Sequence, residues 1–367
     1  MTTPILENTT PRKKFSLPKY RLEHVSSPAW LRILSPFIAI LITFLLSSIL
    51  LGISGVNPFQ AYYYFLIDPL SSQSSAIEVL VKATPLLFTG VAVAIAFSSG
   101  YWNIGAEGQM IAGTIAGAGL GMAIHDWSPF ASIPLMTLGG FIAGALWALI
   151  PALLKVKLAV DEIVTTLLLN SVITYVVSYL LNGPWRNPDS GWPQSAEIDA
   201  SAHFIRLIPR SRLHIGFLIA LLVIGLIWFM LNRTALGYSM RAAGKGKEAA
   251  RFAGLPVNRT VLITALLSGG IAGIAGASEV AGIHFHLVDS ISGGMGYTGV
   301  IVATLSSLNP LAVIPSSLFI GLIDTGAQSL SRAMGVPIHM GDVVQALLLL
   351  VILAMFLLQN YRIRRSA

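Results

Sequence analysis

Apolar residues run along this chain in long stretches separated by short polar ones, and the stretches have the length of a bilayer-spanning helix. The first extends from Ile33 to Ile53, and others cover roughly 77–98, 108–125, 131–154, 161–182, 213–232, 260–282, 295–308, 310–331 and 342–360. A hydrocarbon core takes about 20 apolar residues per helical crossing, so the pattern predicts about ten transmembrane helices. The run from Ile33 to Ile53 exceeds a signal-peptide core and shows no small-residue cleavage pattern, so an uncleaved first span is expected.

Composition sharpens this into a class. The 367 residues are 54% hydrophobic and 11% charged, against about a quarter charged in a typical soluble domain. Soluble enzyme, fibrous protein and nucleic-acid-binding domain are excluded, and an all-α polytopic membrane protein is expected. The 34 glycines and 19 prolines agree, because membrane helices tolerate both where neighbouring helices satisfy the backbone again. With no cysteine, disulfides, thiolate metal sites and cysteine nucleophiles are out.

Charge then gives orientation. Placing the amino terminus inside and alternating through ten spans puts 1–32, 155–160, 233–259 and 361–367 in the cytoplasm. These segments hold seventeen of the 23 lysines and arginines, as the positive-inside bias requires. The expected organisation is a basic tail over 1–32, a membrane domain over 33–360 and a short tail over 361–367, both termini cytoplasmic. The main external loop, 183–212, carries Arg186, Arg206, Arg210 and Arg212 against Asp189, Glu197 and Asp199.

Two interruptions stand out. One, at 98–109, reads SSGYWNIGAEGQ; the other, over 284–308, contains Asp289 and the stretch SGGMGYTG. Broken helices belong inside protein or beside a cavity, and paired breaks in the two halves of a transporter often flank the permeation site. They suggest an internal repeat.

In the first break, Glu107 lies between apolar runs where a carboxylate costs a few kcal/mol, about 2.5–3.5 on insertion scales, so something must compensate it. Either Asn103, Glu107 and Gln109 line a polar cavity, or Glu107 bonds backbone groups at a helix start and fixes the break. Glu279 is a second buried-looking acid, followed by His284 and His286. A proton relay or a helix-end cluster at the membrane surface both accommodate it; the two histidines diverge on a helix and make no metal site by themselves.

The loop 233–259 reads RTALGYSMRAAGKGKEAARFAGLPVNR. Its core, Glu248 to Gly254, predicts a short helix stopped by Gly254, with Pro256 just beyond. Basic on one side and carrying Phe252, it suits a groove on a cytoplasmic partner; anionic lipid headgroups would explain its charges but not its residue order. The stretch Gly244 to Lys247 lacks the spacing of a phosphate-binding loop. No catalytic set and no metal cluster emerges, so covalent chemistry by this chain is not expected.

Several stretches together resemble the permease subunits of ATP-binding-cassette importers in the branched-chain amino acid, ribose and nucleoside group. They are PLLFTGVAVAIAFSSGYWNIGAEGQ, DEIVTTLLLN at 161–170, the 233–259 loop, SGGIAGIAGASEVAG at 268–282 and GMGYTGVIVATLSSLNPLAVIPSSLFIG at 294–321. The similarity runs from about residue 57 to 360 and is strongest to the nucleoside branch, with NIGAEGQ its most specific element. The resemblance implies a fold like that of the vitamin B12 importer permeases and a coupling helix in the 233–259 loop, with Glu248, Ala249, Ala250 and Gly254 carrying coupling and Arg241 beside them. It also implies an ATPase subunit that consumes ATP, no cofactor bound by this chain, a second permease chain, an external substrate-binding lipoprotein, and a bacterial inner membrane. Asn103, Glu107 and Gln109 match the stretch that relatives place near the pathway. An importer of simple sugars or branched-chain amino acids, an ion-coupled transporter using Glu107 and Glu279, and an intramembrane lipid-modifying enzyme remain as alternatives.

Overall fold

The computed structural model describes residues 20–24, 29–53 and 55–365. Of the basic tail expected over 1–32, residues 1–19 and 25–28 lie outside the described residues, as do 366–367 of the carboxyl-terminal tail.

Apart from one ribbon of two short strands, the described chain is helical. Strand β1 (Tyr20–His24) pairs antiparallel with β2 (Tyr361–Arg365), Tyr20 opposite Arg365 and His24 opposite Tyr361. Between them run α1 (Ala29–Ile53), α2 (Pro58–Tyr62), α3 (Gln73–Ser98), α4 (Ala106–Ala123), α5 (Pro129–Leu158), α6 (Glu162–Asn182), α7 (Gly216–Arg233), α8 (Ala235–Lys245), α9 (Lys247–Phe252), α10 (Val257–Glu279), α11 (Met295–Leu305), α12 (Val313–Met334) and α13 (Met340–Asn360).

Each of the ten apolar runs has become a helix, and helix starts follow local chemistry. The Ser72 hydroxyl accepts the Ser75 N–H at 3.2 Å to open α3, and the Asp161 carboxylate accepts from Ile163 and Val164 to open α6, satisfying donors that a first turn leaves unpaired. Seven helical stretches are long and apolar enough to cross a membrane: 34–53, 73–98, 129–158, 162–182, 216–233, 257–284 and 340–358. The protein is thus a multi-pass membrane protein. Helix α4 carries Glu107 and Gln109, α12 carries Asp324 and Arg332, and α11 is only 11 residues long; these three fall short on composition or length. The sequence pattern missed the tight helical turns from Pro58 to Leu70 and the separate α8.

Burial separates a centre from a rim. The apolar windows of α3 and α10 are 89% and 78% buried, whereas those of α1, α6 and α13 are 22%. Helix α10 packs against α3, α4 and α5, and glycines set how closely. A Cβ added at Gly273 would fall on the Gly140 carbonyl, and one at Gly276 on the Met110 carbonyl. Small residues let membrane helices approach this way, where lipid offers no hydrophobic drive to association.

The two ends of the bundle differ. At one end, α8 and α9 sit against the end of α3, and the ribbon joins both ends of the chain. At the other, the loop 183–215 is stitched to the segment following α10: Ser195 N–H to Leu287 O at 3.0 Å, Ile198 N–H to Phe285 O at 2.8 Å and Phe204 N–H to Ala281 O at 2.8 Å. Arg212 pairs with Glu78 on α3.

Candidate functional site

The two interruptions noted in the sequence meet inside the bundle. Helix α3 ends in a turn at Gly100, whose φ of +71° requires glycine, and the chain re-enters through Asn103 to begin α4 at Gly105. The Asn103 and Gln109 amides exchange two hydrogen bonds, 2.8 and 2.9 Å long, and the Asn103 Oδ1 also accepts the Gly105 N–H at 2.9 Å. From there Asn103 donates to the Ser268 hydroxyl at 2.9 Å, which donates to the Ala92 carbonyl at 2.7 Å. One buried polar network therefore ties the break to α3, α4 and α10.

Glu107 faces the second break. Its carboxylate accepts the N–H groups of Gly294 at 3.2 Å and Gly296 at 2.7 Å, where α11 starts. Free N–H groups and the helix dipole make that terminus a natural seat for an anion. The compensation expected for this buried acid is thus the amino terminus of a different helix. Gly296 has no room for a side chain, because a Cβ would strike the Glu107 backbone.

Asn170 on α6 completes the junction. It accepts the Gly108 N–H at 3.0 Å and donates to the Ile104 carbonyl and the Tyr297 hydroxyl, both at 3.1 Å. The break is thereby fastened to α6, and Tyr297 to the break. Tyr297 is 43% exposed, so the buried network reaches a free surface there. On α6 itself, Ser171, Thr174, Tyr175 and Asn182 are exposed and Ser178 is half-buried; they recur every three or four residues, which places them on one face. Hydroxyl and amide groups on the outside of a membrane helix are poorly suited to lipid.

Glu279 stands apart. It lies eleven residues beyond Ser268 on α10, about 16 Å at the helical rise, and pairs with His284 at 3.8 Å. Lys82, Arg212 and Glu78 are its charged neighbours.

At the α8–α9 end, the expected short helix spans Lys247–Phe252. Gly254 follows at φ +78°, and the Leu255 N–H returns to the Ala250 carbonyl at 3.0 Å, a glycine stop of the expected kind. Ala250 is buried, while the Glu248 side chain is 86% exposed and Phe252 points free. Arg241 donates to the Leu231 carbonyl and to Asn232 Oδ1, fastening α8 to the end of α7. A Cβ on Gly100 would lie 3.2 Å from the Gly244 Cα, so this helical pair rests directly on the turn that leads to Asn103.

Residues 75–353 match the model of the branched-chain amino acid transport system permease component family. The chain belongs to that family. The permease is 33% identical to a glucose ABC transporter permease of Haloferax volcanii, over 92% of this chain and 91% of the relative. It is 29% identical to a guanosine ABC transporter permease of Bacillus subtilis, over 90% and 94% of the two chains, and to a nucleoside ABC transporter permease of Lactococcus lactis, over 89% and 92%. No solved structure matches it. These relatives are transport components, and the chain is an ABC transporter permease.

The permease brings Asn103, Glu107 and Gln109 together and leaves Glu279 at the far end of α10. The second cluster, Arg241, Glu248, Ala249, Ala250 and Gly254, lies within α8, α9 and the turn that follows. Asn170, Tyr297 and the polar α6 face escaped the reading of the sequence. The signal available for α6 was its serines and threonines at helical spacing within an apolar run.

Proposed function

We propose that this permease imports nucleosides or related bases, drawing its energy from a separate ATPase that docks on α8 and α9. The observation that carries the proposal is the continuous contact from α9 through Gly100 to the Asn103 and Glu107 junction. A shift of α8 and α9 is in this reading passed through the Gly100 turn and Asn103 to the starts of α4 and α11. In this reading Glu248, Ala249, Ala250 and Gly254 form the coupling helix with Arg241 anchoring it, and Asn103, Glu107 and Gln109 hold the broken helices that border the pathway. Glu279 sits toward its outer end.

The pathway itself runs along the exposed α6 face, between this chain and a second, similar permease chain. Tyr175, Tyr179 and Tyr297 offer ring faces, and Ser171, Thr174 and Ser178 offer hydroxyls, a combination suited to an aromatic base carrying a sugar. A substrate-binding lipoprotein delivers solute to the outer loops. All ten helices, α11 included, count as spans, with a vitamin B12 importer type of architecture; the basic segments place both termini in the cytoplasm of a bacterial inner membrane. The glucose permease among the relatives supports a second reading, a simple sugar as solute.

Reconstitution with the ATPase, the second permease and the binding protein, followed by uptake of labelled guanosine, uridine and glucose, tests both. ATP-dependent nucleoside uptake that glucose does not compete with supports the first reading, and glucose uptake the second. Uptake by this chain alone on an ion gradient, without ATP, overturns the importer.

A further inference from the structure

The hydrogen bonds around Asn170 fix the direction of a tyrosine hydroxyl. Backbone groups orient the Asn170 amide twice over: its Oδ1 accepts the Gly108 N–H at 3.0 Å, and its Nδ2 donates to the Ile104 carbonyl at 3.1 Å. Turned end for end, the amide would set N–H against N–H and oxygen against oxygen. The other Nδ2 hydrogen therefore goes to the Tyr297 hydroxyl, 3.1 Å away, and Tyr297 is the acceptor of that bond. A phenol has one hydrogen of its own, and among the described residues none accepts it.

Exposure and depth say what that hydrogen meets. Tyr297 is 43% exposed, and its hydroxyl is tied to α6, so its free surface borders the polar face of that helix. Asn170 stands eight residues into the 21-residue α6, about 12 Å at the helical rise, which sets the phenol at the depth of the hydrocarbon core and not at a headgroup layer. An unpaired O–H is costly against hydrocarbon; against a polar solute it becomes a hydrogen bond.

Thr174, one turn further along α6, has the opposite sense. Its hydroxyl donates to the Asn170 carbonyl at 3.0 Å, so only lone pairs remain for a partner, and the residue is exposed. One buried asparagine thus sets the polarity of two neighbours, a donor on α11 and an acceptor on α6.

We infer that the Tyr297 hydroxyl donates a hydrogen bond to an acceptor oxygen or nitrogen of the solute, a base or a sugar, with Thr174 accepting from the solute beside it. The inference rests on the α6 pathway proposed above and adds the direction of each bond. Asn170 is then a positioning residue, which touches no solute and decides which way both hydroxyls turn.

Saturation-transfer NMR of uridine and of glucose with the assembled transporter, its binding protein left out, tests this, because the dissociation constant then belongs to the permease. Tyr297→Phe is expected to raise that constant about three- to tenfold, the worth of one neutral hydrogen bond; Thr174→Val is expected to do the same, and Thr174→Ser to keep the wild-type value. Tyr297→3-fluorotyrosine, studied at a pH where the phenol stays protonated, separates this from a structural role. Its more acidic hydroxyl is a better donor and a poorer acceptor, so tighter solute binding is expected together with a weaker Asn170 bond, seen as a lower melting temperature. Should Tyr297→Phe not be recovered folded, the fluorinated protein carries the test. Unchanged binding by Tyr297→Phe, or no tighter binding by the fluorinated protein, overturns the inference and leaves the α6 pathway standing. A wild type that binds neither solute overturns the pathway and the inference with it.

Discussion

The Glu107 carboxylate on the first turn of α4 accepts the Gly296 N–H at the first turn of α11, 2.7 Å away in space and 189 residues away in sequence. Two helices that each begin inside the protein are joined by one acid. An intramembrane carboxylate is usually taken as an ion carrier or ligand; this one already spends both oxygens on backbone donors, so its first role is to hold two helix starts in register.

Glu107→Gln keeps one acceptor and turns an NH₂ group toward the other N–H. The loss of one charge-assisted hydrogen bond is expected to cost about 1.5–3 kcal/mol, with the chain still inserted and transport reduced. Thermal unfolding in detergent beside an uptake assay checks this. Normal melting with normal uptake would remove the joining role.

Gly273→Ala tests the centre. The new methyl group meets the Gly140 carbonyl, and overpacking of this kind costs about 1–3 kcal/mol. Reduced accumulation in the membrane and a lower melting temperature are expected. Gly225→Ala on α7, where a Cβ meets nothing within 4 Å, should leave both unchanged.

At α9 the expected phenotype is different. The Glu248 side chain is 86% exposed and pairs only with the neighbouring, half-exposed Arg251 at 3.0 Å, a surface contact worth about 0–1 kcal/mol, so Glu248→Lys leaves the fold intact and chiefly changes what a partner meets. Uptake is expected to fall while the assembled ATPase continues to hydrolyse ATP, and the ratio of solute moved to ATP consumed is the measurement.

On α6, Tyr175→Ala and Thr174→Val are expected to raise the KM for solute without loss of assembly, whereas Leu222→Ala on the exposed face of α7 should be silent in transport. Equal effects from both sets would mean that the α6 face meets lipid.

The outer loop carries the pH dependence. His214, just ahead of α7, is 1% exposed and its Nε2 finds no hydrogen-bond partner; burial pushes its pKa down from 6.5 to about 4. The unfolded loop takes up the proton first, so stability is complete above pH 6.5 and declines as pH falls toward 4, by up to about 3 kcal/mol. Asp199 behaves oppositely in range: hydrogen bonds from Ser201 hold its carboxyl below the usual carboxylate value, so its contribution is lost only at more acid pH. Limited proteolysis of 183–215 against pH should show protection failing first in the histidine window, and His214→Phe should remove that step.

Hydropathy made the ten helices visible because each is a long run with few charges, and the breaks were visible because Gly, Asn and Glu interrupt such runs. What the breaks do was not legible. Glu107 finds Gly296 across 189 residues, and no local spacing encodes that meeting. Asn170 follows three leucines in the sequence; only its position opposite Gly108 and Tyr297 makes it a clasp. The Glu248 to Gly254 helix was legible because its stop is local: a glycine at positive φ followed by Pro256. The ribbon was not, since pairing of Tyr20–His24 with Tyr361–Arg365 is a contact between chain ends.

The glycine seams between α10, α4 and α5 also bear on how such a permease diversifies. Where backbone lies on backbone, there is no side chain to exchange, and almost every substitution adds volume that has nowhere to go. Drift toward a new solute is therefore steered away from the centre and onto faces that are not backbone against backbone, so two descendants of one ancestor can share their interior glycines while differing in cargo.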